Sequence, residues 1–348
     1  MKLKQSLYFV ALLLVTVGCA TTNGPPVDGN PQFAFQLLSA TTTRGLARDV
    51  WVEGDTAYVA DDEYGVTIWD VSNLARPVMI DSIQTLGPVE EIAYSQSTGL
   101  IFTLQTSSLG GITVFDKTTK IEQIKHGNGR SNGFRFKHLP PDTLLFIEVE
   151  PDNDGCQFAA SYRDPLAVPW WTYDFHAPYT PGFGVLTSLE LDSNYVYLAH
   201  GQYGVSIIKY DYTQIGPGFA AVPLGRVDTP GMARDLKLSR DRNHLFVADN
   251  QSGLQVINIS DKTHPRIVGI SLPPNVNDAK RIRTVGDTAI FIEPLRGIFA
   301  VDCNIPTSPR YFGTYSSPDP QGIFIRESDQ TIFLTDLDQG LLVLKFRQ

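Results

Sequence analysis

Residues 47–72 decide the fold. They read Ala47-Arg48-Asp49-Val50-Trp51-Val52, then Gly54-Asp55-Thr56-Ala57-Tyr58-Val59-Ala60-Asp61, then Gly65-Val66-Thr67-Ile68-Trp69-Asp70-Val71-Ser72, with Pro77-Val78 following. Short runs rich in Val, Ile, Tyr and Trp alternate with Gly and Asp. That is the pattern of strands joined by tight turns, and no 3.6-residue period is sustained for a helix. The pattern returns as Ala233-Arg234-Asp235-Leu236, Leu245-Phe246-Val247-Ala248-Asp249, Gly253-Leu254-Gln255-Val256-Ile257-Asn258-Ile259-Ser260 and Pro265. It returns again as Ala279-Lys280-Arg281-Ile282, Gly286-Asp287-Thr288-Ala289-Ile290-Phe291-Ile292, Gly297-Ile298-Phe299-Ala300-Val301-Asp302 and Pro309. In all three copies the Asp or Asn that ends the third run precedes the Pro by seven positions.

Working outward, fainter copies are marked by single glycines. Gly65, Gly111, Gly155, Gly204, Gly253, Gly297 and Gly340 follow one another at intervals of 43 to 49 residues. The glycine falls between the second and third strands of each unit, where a tight turn needs positive φ or a missing Cβ. The proline begins or precedes the fourth strand, where a lost N–H costs least. One four-stranded sheet cannot bury both faces alone, whereas a ring of them buries a continuous core. The expected fold is all-β: a seven-bladed β-propeller of four-stranded antiparallel blades. The last unit, Ile323–Arg347, lacks a fourth strand, and an orphan run, Phe33–Leu38, lies upstream of the first unit. Placing that run as the outer strand of the last blade closes the ring and covers an exposed edge.

The repeats resemble the LVIVD repeat, a propeller-forming unit of exported bacterial and archaeal proteins. The resemblance rests on Ala-Arg-Asp at 47–49 and 233–235, on Tyr/Phe-Val-Ala-Asp at 58–61 and 246–249, and on the Gly-to-Ser runs at 65–72 and 253–260. It covers about 45–348, strongly in three units and faintly in the second, third and seventh. It implies a fold and no particular reaction.

The chain start carries an address. Lys2 and Lys4 precede the apolar run Leu7–Val15, which is too short to span a bilayer. The following Thr16-Val17-Gly18-Cys19 resembles a bacterial lipoprotein signal, in which the cysteine is lipidated and becomes the mature N-terminus. Ala20 after the cysteine implies the outer membrane under enteric-type sorting. Residues 1–18 are thus expected to be a signal peptide, 19–31 the lipidated Cys19 with a flexible Gly/Pro/Asn/Thr tether, and 32–348 the propeller. Loss of Lys2 and Lys4 takes the net charge from -9 to -11. Cys156 and Cys303 remain, too few for a disulfide framework, although export would permit one bond.

Composition agrees with a folded body. With 42% hydrophobic and 11% aromatic residues the chain is not disordered, and its acidic balance makes nucleic acid an unfavourable partner. Catalytic signatures are missing: no Gly-x-Ser-x-Gly, no His-Glu-x-x-His, no Cys-x-x-Cys. Gly216–Ala221 mimics a dinucleotide fingerprint but holds a proline and precedes no helix. Gly127–Gly133 reads as a blade connection, and Asp152-Asn153-Asp154-Gly155 as a polar hairpin turn rather than a calcium loop. The six histidines lack ligand spacing, and Trp69-Asp70 is a strand end that no other unit repeats. No cofactor or metal is expected, and an enzyme is the less favoured reading.

Two places could carry function. In a propeller the first strand of each blade lines the central channel, so Arg48, Asp49, Glu90, Glu91, Arg234, Asp235, Lys280 and Arg281 should converge on its mouth, with Asn132, Thr187, Ser188 and Gln321. Ala-Arg-Asp belongs to the repeat, which favours inter-blade pairing for those residues; Glu90, Glu91, Lys280 and Arg281 break the pattern. The other place is an aromatic-rich stretch, with Trp170, Trp171, Tyr173 and Tyr179 among Pro165, Pro169, Pro178 and Pro181. It reads either as an outer strand over Trp170–Phe175 packing between blades or as an irregular loop that forms a partner surface. The expectation is a lipid-anchored protein-binding or scaffold module of the bacterial outer membrane, facing the periplasm or the surface. Its partner would be an envelope or extracellular protein. The alternatives are a ligand binder or hydrolase/lyase-type enzyme using the channel, and an adhesin.

Overall fold

The computed structural model describes residues 34–105, 111–120, 122–126, 133–139, 143–150, 155–163, 171–179, 185–211 and 221–347. They form seven four-stranded antiparallel sheets, and no helix long and apolar enough to cross a membrane occurs among them. Numbered in chain order, the innermost strands of blades one to seven are β2 (Asp49–Glu53), β6 (Val89–Ser95), β10 (Gly133–Leu139), β14 (Ser188–Asp192), β18 (Asp235–Leu238), β22 (Ile282–Val285) and β26 (Pro320–Arg326). The remaining strands of each blade follow outward in sequence order.

Blade seven differs, as the sequence predicts. Its outermost strand is β1 (Phe35–Thr41), which pairs with β28 (Gly340–Phe346) from Phe35↔Phe346 to Thr41↔Leu341. The strand begins two residues later than the run Phe33–Leu38 and extends to Thr41. Phe35 and Phe346 are buried ring against ring, 5.3 Å apart.

Apolar side chains fall into seven clusters among the described residues, each joining two neighbouring blades. The closing interface is as well built as the others: Val50, Val52, Ala57, Val59 and Trp69 of blade one pack on Phe333, Leu341 and Val343 of blade seven. Full burial of such a side chain contributes roughly 1.5–3 kcal/mol. No blade has a core of its own, so the ring stands or falls as a unit.

The repeat's punctuation has physical causes. At Gly65 φ is 74°, and a Cβ there would lie 2.3 Å from the Ile83 carbonyl oxygen at the end of the fourth strand. Gly340 makes the same approach to Thr41, 2.4 Å, so β1 fills the fourth-strand position fully. The Asp or Asn ending each third strand caps the next turn: Asp70 accepts from the Ser72 N–H (2.9 Å), Asn258 from Ser260 (3.2 Å) and Asp302 from Asn304 (2.9 Å). Pro77, Pro265 and Pro309 stand immediately before their outer strands, Val78–Ile83, Arg266–Ser271 and Arg310–Tyr315.

Two readings left open by the sequence are decided, and other stretches lie outside the described residues. The stretch Trp171–Tyr179 is a nine-residue outer strand of blade three, β13, paired with Gly155–Arg163 and bulged at Ala160/Ser161; of the two readings the outer strand holds, and it runs past Phe175 to Tyr179. Pro178 fits there because this strand is an edge. Cys156 and Cys303 are both buried and not joined in a disulfide; burial pushes the Cys303 thiol up to about 12. The signal and tether residues 1–31 and the segments 127–132, 151–154, 164–170 and 212–220 lie outside the described residues, and with them Cys19 and Trp170.

Candidate functional site

The first residues of the inner strands meet around a channel cavity of about 410 Å³. Its lining includes Arg48, Glu90, Glu91, Arg234, Asp235, Lys280 and Arg281, together with Thr187, Ser188 and Gln321. Asp49 stands just behind, almost wholly buried. Asn132 lies outside the described residues, and its neighbour Gly133 lines the wall instead. Arg135 and Arg283 complete the lining. They lie two positions along strands already assigned to the channel, so the two-residue alternation of a strand was the signal that would have found them. Glu190 and Lys237 follow Ser188 and Asp235 in the same way.

Charges alternate round the wall from blade to blade. The Arg135 guanidinium contacts Glu91 at 3.1 Å and Glu190 at 3.7 Å, and Lys237 donates to Glu190 at 2.6 Å. Arg283 reaches Asp235 at 3.3 Å. Arg281 spans past blade seven to Asp49 at 3.0 Å. At the rim, Arg48 donates from Nε (3.1 Å) and Nη2 (2.8 Å) to Asp62, while Arg234 stands 3.6 Å from Asp278.

The repeat's own aspartates lock the ring. Asp235 accepts from the Ser188 hydroxyl (2.6 Å) in the blade before and from the Ile282 N–H (3.1 Å) in the blade after. Asp49 likewise accepts from the Ile92 N–H of blade two at 3.2 Å. On its other side Gly322 of blade seven comes so close that a Cβ would lie 2.5 Å from the Asp49 Cα. Burial works against ionised Asp235, but Arg283, Arg135 and the Ser188 hydroxyl hold its carboxyl below the usual range. Burial likewise opposes Arg281, and Asp49, Glu91 and Asp235 more than compensate, keeping it firmly charged. Glu91 is pushed up by burial, against the pull of Arg135 and Arg281.

A second set of buried carboxylates ends the second strands. Asp61 accepts from the N–H groups of Arg44 and Gly45, Asp249 from Gly231, and Glu293 from Asp278. Each pins the connection that delivers the chain to an inner strand. Burial raises Asp249 to about 6. His200 takes the same place in blade four and hydrogen-bonds Ser206.

The cavity is positive although the chain is acidic. Six lining side chains are cationic and three are carboxylates, so an approaching anion is favoured. Around the mouth stands an apolar collar. Leu46, Leu86, Val185 and Leu272 on the connections into inner strands, and Tyr64, Tyr203 and Leu295 on the hairpins between second and third strands, are all exposed. Leu86 and Leu295 are 74% and 77% exposed. Every one of these segments lies on the face where the inner strands begin. The turns of the opposite face expose, among the described residues, Ile305 as their large apolar side chain. Beside Leu295, a depression of about 670 Å³ opens between Pro274, Phe299, Tyr311 and Pro318. Among the described residues no three His, Cys, Asp or Glu side chains stand close enough to share a metal ion.

Residues 44–85 and 230–272 match the LVIVD repeat. These segments span blades one and five, so the chain carries LVIVD repeats within a seven-bladed propeller. Among solved structures it is similar to the WD40 β-propeller domain of Doa1, with 9% identity and a TM-score of 0.67 over 91% of this chain and 98% of that one. It is also similar to U3-55K and to the WD40 repeats of RRP9. Each of these has 10% identity and a TM-score of 0.65, over 93% of this chain and 100% of the other. At such identity the likeness is one of fold. No curated protein matches the sequence.

Proposed function

We propose that this propeller is a protein-docking module of the bacterial outer membrane, tethered by a lipidated Cys19, that receives its partner on the channel-mouth face. One observation carries the reading: a cationic mouth and the exposed apolar collar share one face, while the other is built of polar turns. Apolar groups exposed together on a soluble body mark interaction surfaces, and charge complementarity steers a partner to them. The aromatic stretch of blade three, Trp170, Trp171, Tyr173 and Tyr179 in the sequence, is a second surface we assign to the same partner, since Trp and Tyr dominate hot spots.

The anchor is supported by the basic start, the short apolar run and the Gly18-Cys19 pair. Cys19→Ser should abolish lipid labelling and release the chain from the membrane fraction; unchanged fractionation would refute the anchor. Docking is tested by photo-cross-linking in native envelopes from Tyr64, Leu295, Ile305 and Trp171. The same protein should be captured from Tyr64 and Leu295 and not from Ile305. Capture from Ile305 alone would place the partner on the wrong face.

The enclosed polar cavity of about 410 Å³ supports a second reading, a small-ligand site or an active site inside the channel. It gains ground if cross-linking captures nothing while small anions raise the melting temperature.

A further inference from the structure

Lys280 is the cation of the channel mouth that lacks a counter-ion. Arg48 has Asp62, Arg135 has Glu91, Arg281 has Asp49 and Arg283 has Asp235. The Lys280 backbone N–H donates to the Ile292 carbonyl at 2.9 Å, but its ammonium makes no hydrogen bond or ion pair among the described residues, although the side chain lines the cavity. Next to it, Arg234 is only loosely held: its one ion-pair contact is 3.6 Å to Asp278, and its Nε is buried without an acceptor. The ammonium of Lys280 is held below its usual pKa by desolvation first, then by Arg281 and Arg234. Asp278 and Asp319 offset this only in part.

Lys280 is exposed at the mouth, where an anion can reach it, and with Arg281 and Arg234 beside it and only Asp278 and Asp319 in partial opposition, the spot favours one further negative charge. A carboxylate supplies one charge and two acceptor oxygens, enough for an ammonium and a neighbouring guanidinium. A phosphate dianion would bring a second charge close to Glu90 and Glu91, which already line the cavity. Acidic side chains presented by a docked protein meet this requirement, and the collar supplies the apolar contacts around them.

We propose that the channel mouth is a carboxylate receptor in which Lys280 and Arg234 hold an acidic side chain of the partner protein. The proposal rests on the docking reading and names the chemistry of its central contact. Binding raises the Lys280 pKa, so affinity falls as alkaline pH removes its proton.

The test is calorimetric titration of the full-length protein in detergent with a hexaglutamate peptide, a hexaglutamine peptide and inorganic phosphate. Hexaglutamate should bind at least about tenfold more tightly than either alternative, the difference one charge-assisted contact can supply. Lys280→Gln and Arg234→Gln should each weaken it about tenfold, and Lys280→Arg should restore most of the loss. Lys262→Gln, on a turn of the opposite face, should change nothing. Equal binding by Lys280→Gln, or tighter binding of phosphate, overturns the receptor. The two readings fail separately. If Lys280→Gln loses hexaglutamate while no cross-link forms from Tyr64 or Leu295, the receptor stands and docking falls. If cross-links form and the variant still binds hexaglutamate, docking stands and the receptor falls.

Discussion

Asp235 and Arg281 occupy the same place in consecutive blades, one step before the first apolar residue of the inner strand, and do opposite things. Asp235 turns inward on the ring, accepting from Ser188 of one neighbouring blade and from Ile282 of the other. Arg281 cannot accept, so it reaches over blade seven to Asp49, and the residue before it, Lys280, has no ion pair among the described residues. Where the repeat is kept, the side chain joins blades. Where it is broken, at Lys280, a charge faces the channel. Function should therefore be sought at the departures from the repeat.

The largest effect belongs to the kept residue. Asp235→Ala takes the carboxylate from Arg283, which keeps only the Ile282 carbonyl, and leaves the Ile282 N–H without its acceptor; losing one partner of a buried pair costs about 3–5 kcal/mol. Urea unfolding should register that loss; a change below 1 kcal/mol, on the order of a surface substitution, would undo the contrast with Lys280.

A smaller effect separates two kept carboxylates of blade five by pH. Asp235 has a depressed pKa, so its stabilisation is present above the ordinary carboxylate range and is lost as the pH falls through its lower folded value. Asp249 is raised to about 6 by burial, so its contribution is full below about pH 4 and is lost as the pH rises through 6. Over that window the loss amounts to about 3 kcal/mol, at 1.36 per pKa unit. Asp249→Asn should flatten the stability profile between pH 4 and 6 and leave the acid limb intact. A profile unchanged by the substitution would show that Asp249 is ionised freely in the folded protein.

The blade count, the order of strands and the closing role of β1 were legible because turn glycines recur whether or not the strands between them keep their pattern. So were the residues at the channel entrance, since alignment of the units transfers one position to all seven. The second row, Arg135, Glu190, Lys237 and Arg283, went unread because alignment alone gives the entrance and not the depth. Blade three was ambiguous for a physical reason: prolines normally end strands but are tolerated in an edge strand, so Pro178 obscured how far the outer strand runs and kept a loop in play. The collar was hidden as well. Leu295 and Leu245 are the same residue in sequence, and only their places, a hairpin tip and a second strand, make one exposed and the other buried.

Thermal unfolding of Lys280→Gln with and without hexaglutamate tests most directly the claim that the kept aspartates build the ring while Lys280, a departure from the repeat, binds. The unliganded variant should melt within about 2 °C of the parent, the shift expected for a substitution worth about 0.5 kcal/mol or less. The peptide should raise the melting temperature of the parent and leave the variant unmoved. A variant that melts far below the parent without ligand, or one that the peptide stabilises as well as the parent, would contradict the account.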